Sequence, residues 1–434
     1  MAGRRARTPQ GNFANVVASL TSVNVVLLAT GVITGPIIAR VLGAEGRGEL
    51  AAIMTVLALA PGLLDLGLSN WIARERAIGA SRAEILGAAL PVLFACSLLG
   101  VLAAYPVAQA LGRGRDDVET FVLAGLVLMP VVVMLQSLLG LALGESRWRL
   151  YVLTRIAGAV LPAAAIVTLW LVDELTVASA AIAYIAGPIA GSVALVAMLR
   201  GAGGMRLDRA RSKTAAAFGV KSWLSTVTAL SNNRLDQILM AALVPSRELG
   251  LYAVAVTVSS ITFALGAAVS GAIYPRVAAG DGLLAARACR ITVLLVAAAS
   301  LVLAILTPWL VPFMFGDEFR DAVPMALILL ASSVPAAATI VVTAALTAAN
   351  EPAAPMRAEL ITLALTLPPL VLLLPEYGGM GAAVITLVAY MLRITLQLRS
   401  AQRTFERSVW SFVVADRADL LWLRTRLRRG GAPT

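Results

Sequence analysis

Between Asn12 and Arg403 the chain alternates long apolar stretches with short polar gaps. A helix rises 1.5 Å per residue, so roughly 20 mainly apolar residues cross a hydrocarbon core of about 30 Å. Twelve stretches meet that length, at about 12–42, 47–73, 83–111, 118–143, 148–172, 175–199, 215–243, 247–275, 284–313, 321–349, 355–375 and 379–402. Several exceed the minimum and are expected to tilt or to extend past the bilayer. A membrane β-barrel would show segments of about ten residues with alternating polarity instead, and the sequence has none. The pattern predicts an all-α polytopic membrane protein with about 12 transmembrane helices.

The basic residues orient these spans. Lys and Arg gather in every second gap: 26 fall on the side that holds both termini and 6 on the other, while Arg155, Lys221 and Arg234 lie within spans. Basic loops stay cytoplasmic, so both termini are expected inside. The N-terminus MAGRRARTPQ is similar to the basic start of a signal peptide. No small-residue cleavage site follows a short apolar core, so Asn12 onward reads as a retained first helix.

The longest polar connector, RGAGGMRLDRARSK at 200–213, divides the spans into two sets of six. A shift of about 202 residues lays Gly48 on Gly250, Ala51 on Ala253 and Arg74 on Arg276, a weak internal repeat. The expected organisation is a basic N-terminus at 1–11, an N-lobe at 12–199, a linker at 200–214, a C-lobe at 215–403 and a tail at 404–434. Two halves that each begin and end inside form a parallel repeat, and transporters built so bind substrate between the halves. The tail carries Trp410, Phe412, Leu420, Leu421, Trp422 and Leu427 among Arg417, Arg424, Arg426, Arg428 and Arg429. It is too interrupted to span, and two readings stand open. One is a basic amphipathic segment on the anionic inner leaflet; the other is a partly disordered tail.

Composition narrows the function. Of 434 residues 59% are hydrophobic and 14% charged, where a soluble domain carries about 25% charge. The net charge of +11 would suggest nucleic acid in a soluble protein; topology accounts for it here, and no nucleic-acid partner is expected. Arg greatly outnumbers Lys, of which only Lys213 and Lys221 occur; with the abundance of alanine this reads as a GC-rich bacterial genome. Cys96 and Cys289 both lie in apolar spans and read as packing residues. There is no histidine, which removes His-based triads and His metal sites. No G-x-x-x-x-G-K-[ST] loop occurs, so no ATP engine is visible and the energy is expected from an ion gradient, the membrane potential or a substrate gradient. With no soluble catalytic domain and no carboxylate cluster outside the spans, the expectation is a non-enzyme with no catalytic residues, no metal and no cofactor.

Charges inside spans are costly and generally face a cavity or a partner. In span seven Lys221, Ser225, Thr228, Asn232 and Asp236 are spaced 4, 3, 4 and 4, which sets them along one slowly turning helix face. That face suits a hydrated cavity; interhelical hydrogen bonding is the alternative. Arg234 lies two residues from Asp236 and so does not share its face. Asp236 is the leading carboxylate for ion coupling, with Asp65 behind it, although Asp65 could instead pair with Arg74 or Arg76. Arg155, Lys221 and Arg393 each lie within about 10 Å of the inferred cytoplasmic face. If all point inward they form a cationic mouth suited to a lipid diphosphate, with Asn232 and Arg234 as further cavity residues. Snorkelling to headgroups is the alternative for each.

Two stretches carry a resemblance. ARVLGAEGRGELAAIMTV (39–56) with LLDLGLSNWIARERA (63–77) resembles the first helix pair of the polysaccharide-flippase branch of the MOP exporter superfamily. NNRLDQILMAALVPSRELGLYAVAVTVSS (232–260) resembles that family's seventh helix, with an Arg-x-Asp signature, and a Gly-x-Tyr entry into the eighth. Members often carry an aromatic where this chain has Arg47-Gly48-Glu49-Leu50, a departure that touches the outer loop. The resemblance implies two pseudo-symmetric six-helix lobes in a V around a central cavity. It also implies movement of a polyprenyl-diphosphate-linked oligosaccharide from the inner to the outer leaflet of the bacterial cytoplasmic membrane by alternating access. Expected partners are that lipid-linked substrate, membrane lipids and the glycosyltransferases or polymerases of surface polysaccharide assembly, with a monomeric transport unit. A multidrug or cation antiporter on the same scaffold and a membrane glycosyltransferase or polymerase are the alternatives. The basic intramembrane residues favour an anionic substrate.

Overall fold

The computed structural model describes residues 10–112, 115–200, 204, 207–278 and 282–413, with backbone alone for 10–22, 24, 221–222, 224–233, 263–278 and 282–283. Among the described residues there is no strand. The helices are α1 Gln10–Leu64, α2 Leu68–Ala77, α3 Arg82–Leu102, α4 Ala104–Gly112, α5 Asp116–Val127, α6 Met129–Gly144, α7 Trp148–Leu171, α8 Val177–Ser192 with a 3-10 extension Val193–Leu199, α9 Arg209–Leu243, α10 Ser246–Ala278, α11 Gly282–Phe315, α12 Ala322–Ala348, α13 Ala353–Phe405 and α14 Trp410–Val413. The molecule is a polytopic all-α membrane protein.

All twelve predicted stretches fall on helix. Seven described helices are long and apolar enough to cross a membrane, eight when α5 and α6, bent by 49°, count as one span. Of those seven, α13 holds two predicted spans, and α1 holds the first and the larger part of the second. In α1 the helical path breaks at Gly43 (φ 67°), and in α13 at Gly378 (φ 50°). Both lie in the left-handed region that a Cβ disfavours, so glycine lets two spans join without a loop. Glu248, in the first turn of α10, completes the second break: its Oε2 accepts the Gly379 N–H at 3.2 Å and satisfies a donor left open at a helix start.

The chain divides into two compact units, Met1–Leu230 and Ser231–Thr434. The boundary lies inside α9, within predicted span seven, and not at the 200–214 connector. Side-chain anchors explain the displacement. Ser212 Oγ donates to the Ala88 carbonyl at 2.9 Å and Trp223 Nε1 donates to the Leu63 carbonyl at 2.7 Å. A Cβ on Gly219 would stand 2.4 Å from the Leu66 carbonyl oxygen. The start of α9 is therefore fastened to the first unit.

In that unit α2, α3, α6, the 3-10 extension and the start of α9 share a core of Trp71, Ile72, Ile85, Leu86, Leu141 and Met198. Helices α7 and α8 meet through small residues, since a Cβ on Gly191 would lie 2.7 Å from the Gly158 nitrogen; such close approach is how lipid-embedded helices gain packing. In the second unit α12 is the most enclosed of the long apolar helices and packs on α10, α11 and α13.

Of the tail, residues 404–413 are described. Glu406 takes a left-handed conformation (φ 51°) and ends α13. Helix α14 then folds back on α11. Phe412 is 1% exposed with its ring 6.2 Å from that of Phe405, and the Arg290 guanidinium donates to the Ser411 carbonyl. Residues 414–434 lie outside the described residues.

Candidate functional site

Asp236 on α9 and Tyr252 on α10 stand level with each other, because the turn between the helices lies midway between them in sequence. The Tyr252 hydroxyl donates to Asp236 Oδ2 and lies 3.4 Å from Thr386 Oγ1 on the second arm of α13. The Gln237 N–H donates to Asp236 Oδ1 at 2.8 Å. Both carboxylate oxygens are thus engaged. Tyr252 is fully buried, and a buried phenol seeks a partner of this kind.

Asp236 opens on a cavity of about 40 Å³ whose wall includes Thr362 and Thr366 from the first arm of α13 and Thr386, Tyr390 and Arg393 from the second. Thr362 and Thr366 donate their hydroxyls to the Ala358 and Thr362 carbonyls, each at 2.8 Å, so toward the cavity they can only accept. Arg393 is 7% exposed. Its guanidinium lies 5.3 Å from the Tyr390 ring centre and 3.8 Å from Glu359 Oε1, too far for a good hydrogen bond. Its Nε has no hydrogen-bond partner among the described residues. Below it Gln397 donates to Thr343 Oγ1 of α12 at 2.9 Å.

The other sequence candidates are dispersed. Arg234 is exposed and donates to Gln237 Oε1 at 2.9 Å, and its charge still reaches Asp236 and Tyr390. Arg155 stands exposed on α7 in the first unit, whereas Arg393 is enclosed in the second. The side chains of Lys221 and Asn232, with Ser225 and Thr228, lie outside the described residues. Asp65 pairs with neither Arg74 nor Arg76. It accepts the Ser69 N–H at 3.2 Å and the Ser69 hydroxyl at 2.8 Å, which satisfies a free donor in the first turn of α2.

Sequence reasoning missed Tyr252, Glu359 and a second charged centre at Glu145. The Glu145 side chain is 7% exposed and takes Arg76 at 2.9 Å, Arg82 at 2.6 Å and Arg147 at 2.9 Å. Arg82 is bidentate, with a second bond of 2.6 Å to Oε2, and it also donates to the Met198 and Arg200 carbonyls. This outweighs the cost of burial and holds the Glu145 carboxyl down at about 2. Glu145 follows α6, so it fastens α2, α3, α7 and the end of the 3-10 extension together. The first unit also holds a larger cavity, of about 300 Å³, between α1, α7 and α8, lined by Leu27, Thr30, Thr34, Met54 and Tyr184 among others.

Known proteins place this architecture. The family described as polysaccharide biosynthesis protein matches residues 13–280. No curated protein matches the sequence. Among solved structures, the chain is similar to lipid II flippase MurJ in an inward closed conformation, with a TM-score of 0.75 at 11% identity over 96% of this chain and 94% of that one. It is also similar to an inward-facing multidrug resistance MATE family transporter of the MOP superfamily, at 0.65 and 15% identity over 88% and 96%. The MATE multidrug transporter DinF-BH scores 0.63 at 16% identity over 94% and 100%. At such identities the likeness speaks for the fold, and the family match covers more than half of the sequence. The chain belongs to the polysaccharide biosynthesis protein family and has the fold of the MOP-superfamily transporters.

Proposed function

We propose that this protein carries a polyprenyl-diphosphate-linked oligosaccharide from the inner to the outer leaflet of a bacterial cytoplasmic membrane by alternating access, for surface polysaccharide assembly, with Asp236 as its ion-coupling carboxylate. The observation that carries the reading is the Asp236 cluster. A carboxylate, a guanidinium and two phenols line or adjoin one small cavity inside helices of a membrane-embedded unit, and ionisable groups within spans point by default to an ion or substrate path. Family membership supports the class of cargo, and the MurJ-like fold supports movement of a lipid-linked substrate. Both termini are read as cytoplasmic from the 26 to 6 distribution of basic residues. The same family and fold support a carrier rather than an enzyme.

The diphosphate would be met by basic side chains, for which Arg155 and Lys221 are the candidates together with Asn232 and Arg234. Arg393 fits a role in coupling better than one in substrate capture, because it is enclosed beside Glu359. The test is translocation of a fluorescent polyprenyl-diphosphate sugar in proteoliposomes under an imposed proton gradient. Accelerated movement that Asp236→Asn abolishes supports the reading. Leaflet exchange no faster than in empty liposomes contradicts it, and gradient-driven efflux of a cationic dye instead would support the antiporter.

A further inference from the structure

One cation of the first unit is enclosed with nothing in that unit to neutralise it. Arg47 follows the break at Gly43 by four residues, near the end of the spans read as outer, and opens the Arg47-Gly48-Glu49-Leu50 stretch at which this chain departs from the aromatic common in its family. Its Nε is fully enclosed, and its guanidinium has no hydrogen bond or ion pair among the described residues. Glu49 does not serve it, because the charges that reach Glu49 are those of Arg115, Glu45 and Asp117. The residues of this unit whose side chains lie outside the described set include no Asp or Glu. A cation held so is costly unless a ligand pairs with it. The charge of Arg47 does reach the Tyr184 phenol on α8. The start of α8 packs on α1 beside Arg47, since a Cβ on Gly46 would lie 3.2 Å from Val177 Cγ2. Tyr184 follows Val177 by seven residues, two turns along the same face. Its side chain leans toward the start of α8, and so toward Arg47. The Tyr184 hydroxyl also has no hydrogen bond among the described residues.

Tyr184 also lines the cavity of about 300 Å³ between α1, α7 and α8, a volume at the small end of ligand cavities. The wall beyond it is mostly apolar, with Leu27, Met54 and Pro162, and Leu27 and Gly31 are exposed, so the cavity can be entered from the surface. Thr30 and Thr34 give their hydroxyl protons to the Leu27 and Thr30 carbonyls, at 2.9 and 2.8 Å, and can offer the cavity only acceptors. The side-chain donors are therefore the Tyr184 hydroxyl and, beside it, the Arg47 guanidinium. We propose that this pair binds the phosphoryl group of a lipid, with part of the lipid's chain in the cavity. A guanidinium fork and a phenol O–H both match phosphoryl oxygens. The apolar wall suits hydrocarbon better than a sugar, whose hydroxyls need donors and acceptors together. The outer end of a span lies at the level of the outer-leaflet headgroups, where a translocated lipid phosphate arrives. Two lipids carry this chemistry, the polyprenyl diphosphate of the cargo and an anionic phospholipid of the membrane, and only the first rests on the carrier reading. The pair is separate from Asp236 and from the basic candidates Arg155 and Lys221.

Thermal melting of the full chain in detergent tests it, with sugar-free polyprenyl diphosphate, phosphatidylglycerol or the uncharged polyprenol titrated in. The phosphoryl lipids are expected to raise the melting temperature of the parent, and polyprenol is not. Arg47→Gln is expected to weaken their apparent affinity by about tenfold or more, the loss of a charge-assisted bond, and Tyr184→Phe by about three- to tenfold. Without lipid, Arg47→Gln is expected to melt no lower than the parent, because it relieves an unpaired enclosed cation. A stronger effect of polyprenyl diphosphate assigns the site to the cargo, and an equal effect of phosphatidylglycerol assigns it to membrane lipid; both support the phosphoryl site. Parent-like affinity in Arg47→Gln, or polyprenol acting as strongly as its diphosphate, overturns it. Binding that persists while proteoliposomes show no translocation would sink the carrier reading and leave this site standing, which separates the two.

Discussion

Glu145→Gln removes one negative charge from a centre that three arginines surround, at nearly unchanged volume. In the parent the carboxyl titrates at about 2 rather than 4.5, and the difference corresponds to at most about 3.4 kcal/mol, at 1.36 kcal/mol for each tenfold change. Arg147 is 54% exposed at its side chain, so its share is screened and about 2 kcal/mol is the working figure. Because the native carboxyl titrates below its unfolded value, the stabilisation is complete above about 4.5 and is lost as pH falls toward 2. The assay is the apparent melting temperature of purified parent and variant in detergent from pH 7 down to pH 3. The variant should melt lower by a constant amount between pH 7 and 5, and the gap should narrow below about 4.5. A gap that stays constant down to pH 3, or no gap at pH 7, refutes the reasoning.

Other expectations can be checked in the same preparation. Tyr252→Phe removes a donor from a charged carboxylate, a bond of about 1.5–3 kcal/mol, and coupled transport in proteoliposomes should fall by 10-fold or more. Phe412→Ala empties a fully buried site at a cost of about 3–5 kcal/mol, and hydrogen exchange should show α14 released from α11 while the rest of the second unit keeps its protection. Gly191→Val drives a side chain against the Gly158 backbone and should lower the melting temperature by the equivalent of about 1–3 kcal/mol, whereas a neutral outcome would mean that α7 and α8 can separate freely.

The helices were legible in the sequence because a bilayer imposes one length and one polarity on every span, so the twelve apolar stretches fall on helix. Where two spans meet at Gly43 or Gly378, a glycine in a short gap already marked the break. The division between units was less legible. The polar connector at 200–213 looked like the joint, yet Ser212, Gly219 and Trp223 bind the start of α9 to the first unit through backbone carbonyls, which composition does not encode. Counting arginines by side gave an expected orientation but hid that three of them converge on Glu145. Tyr252 could have been found: it stands in the Gly-x-Tyr motif, and a tight turn between two antiparallel helices pairs residues equidistant from it. Glu359 and Arg393 meet across the break at Gly378, 34 residues apart in sequence, and no local periodicity signals that contact.

The central claim is gradient-driven translocation of a lipid-linked oligosaccharide through a proton-coupled Asp236. Its most direct test measures inner-to-outer movement of a polyprenyl-diphosphate oligosaccharide in proteoliposomes, with and without a proton gradient, for the parent and Asp236→Asn. The account predicts movement that the gradient accelerates in the parent and leaves unchanged in the variant. Equal rates for parent, variant and empty liposomes would contradict it.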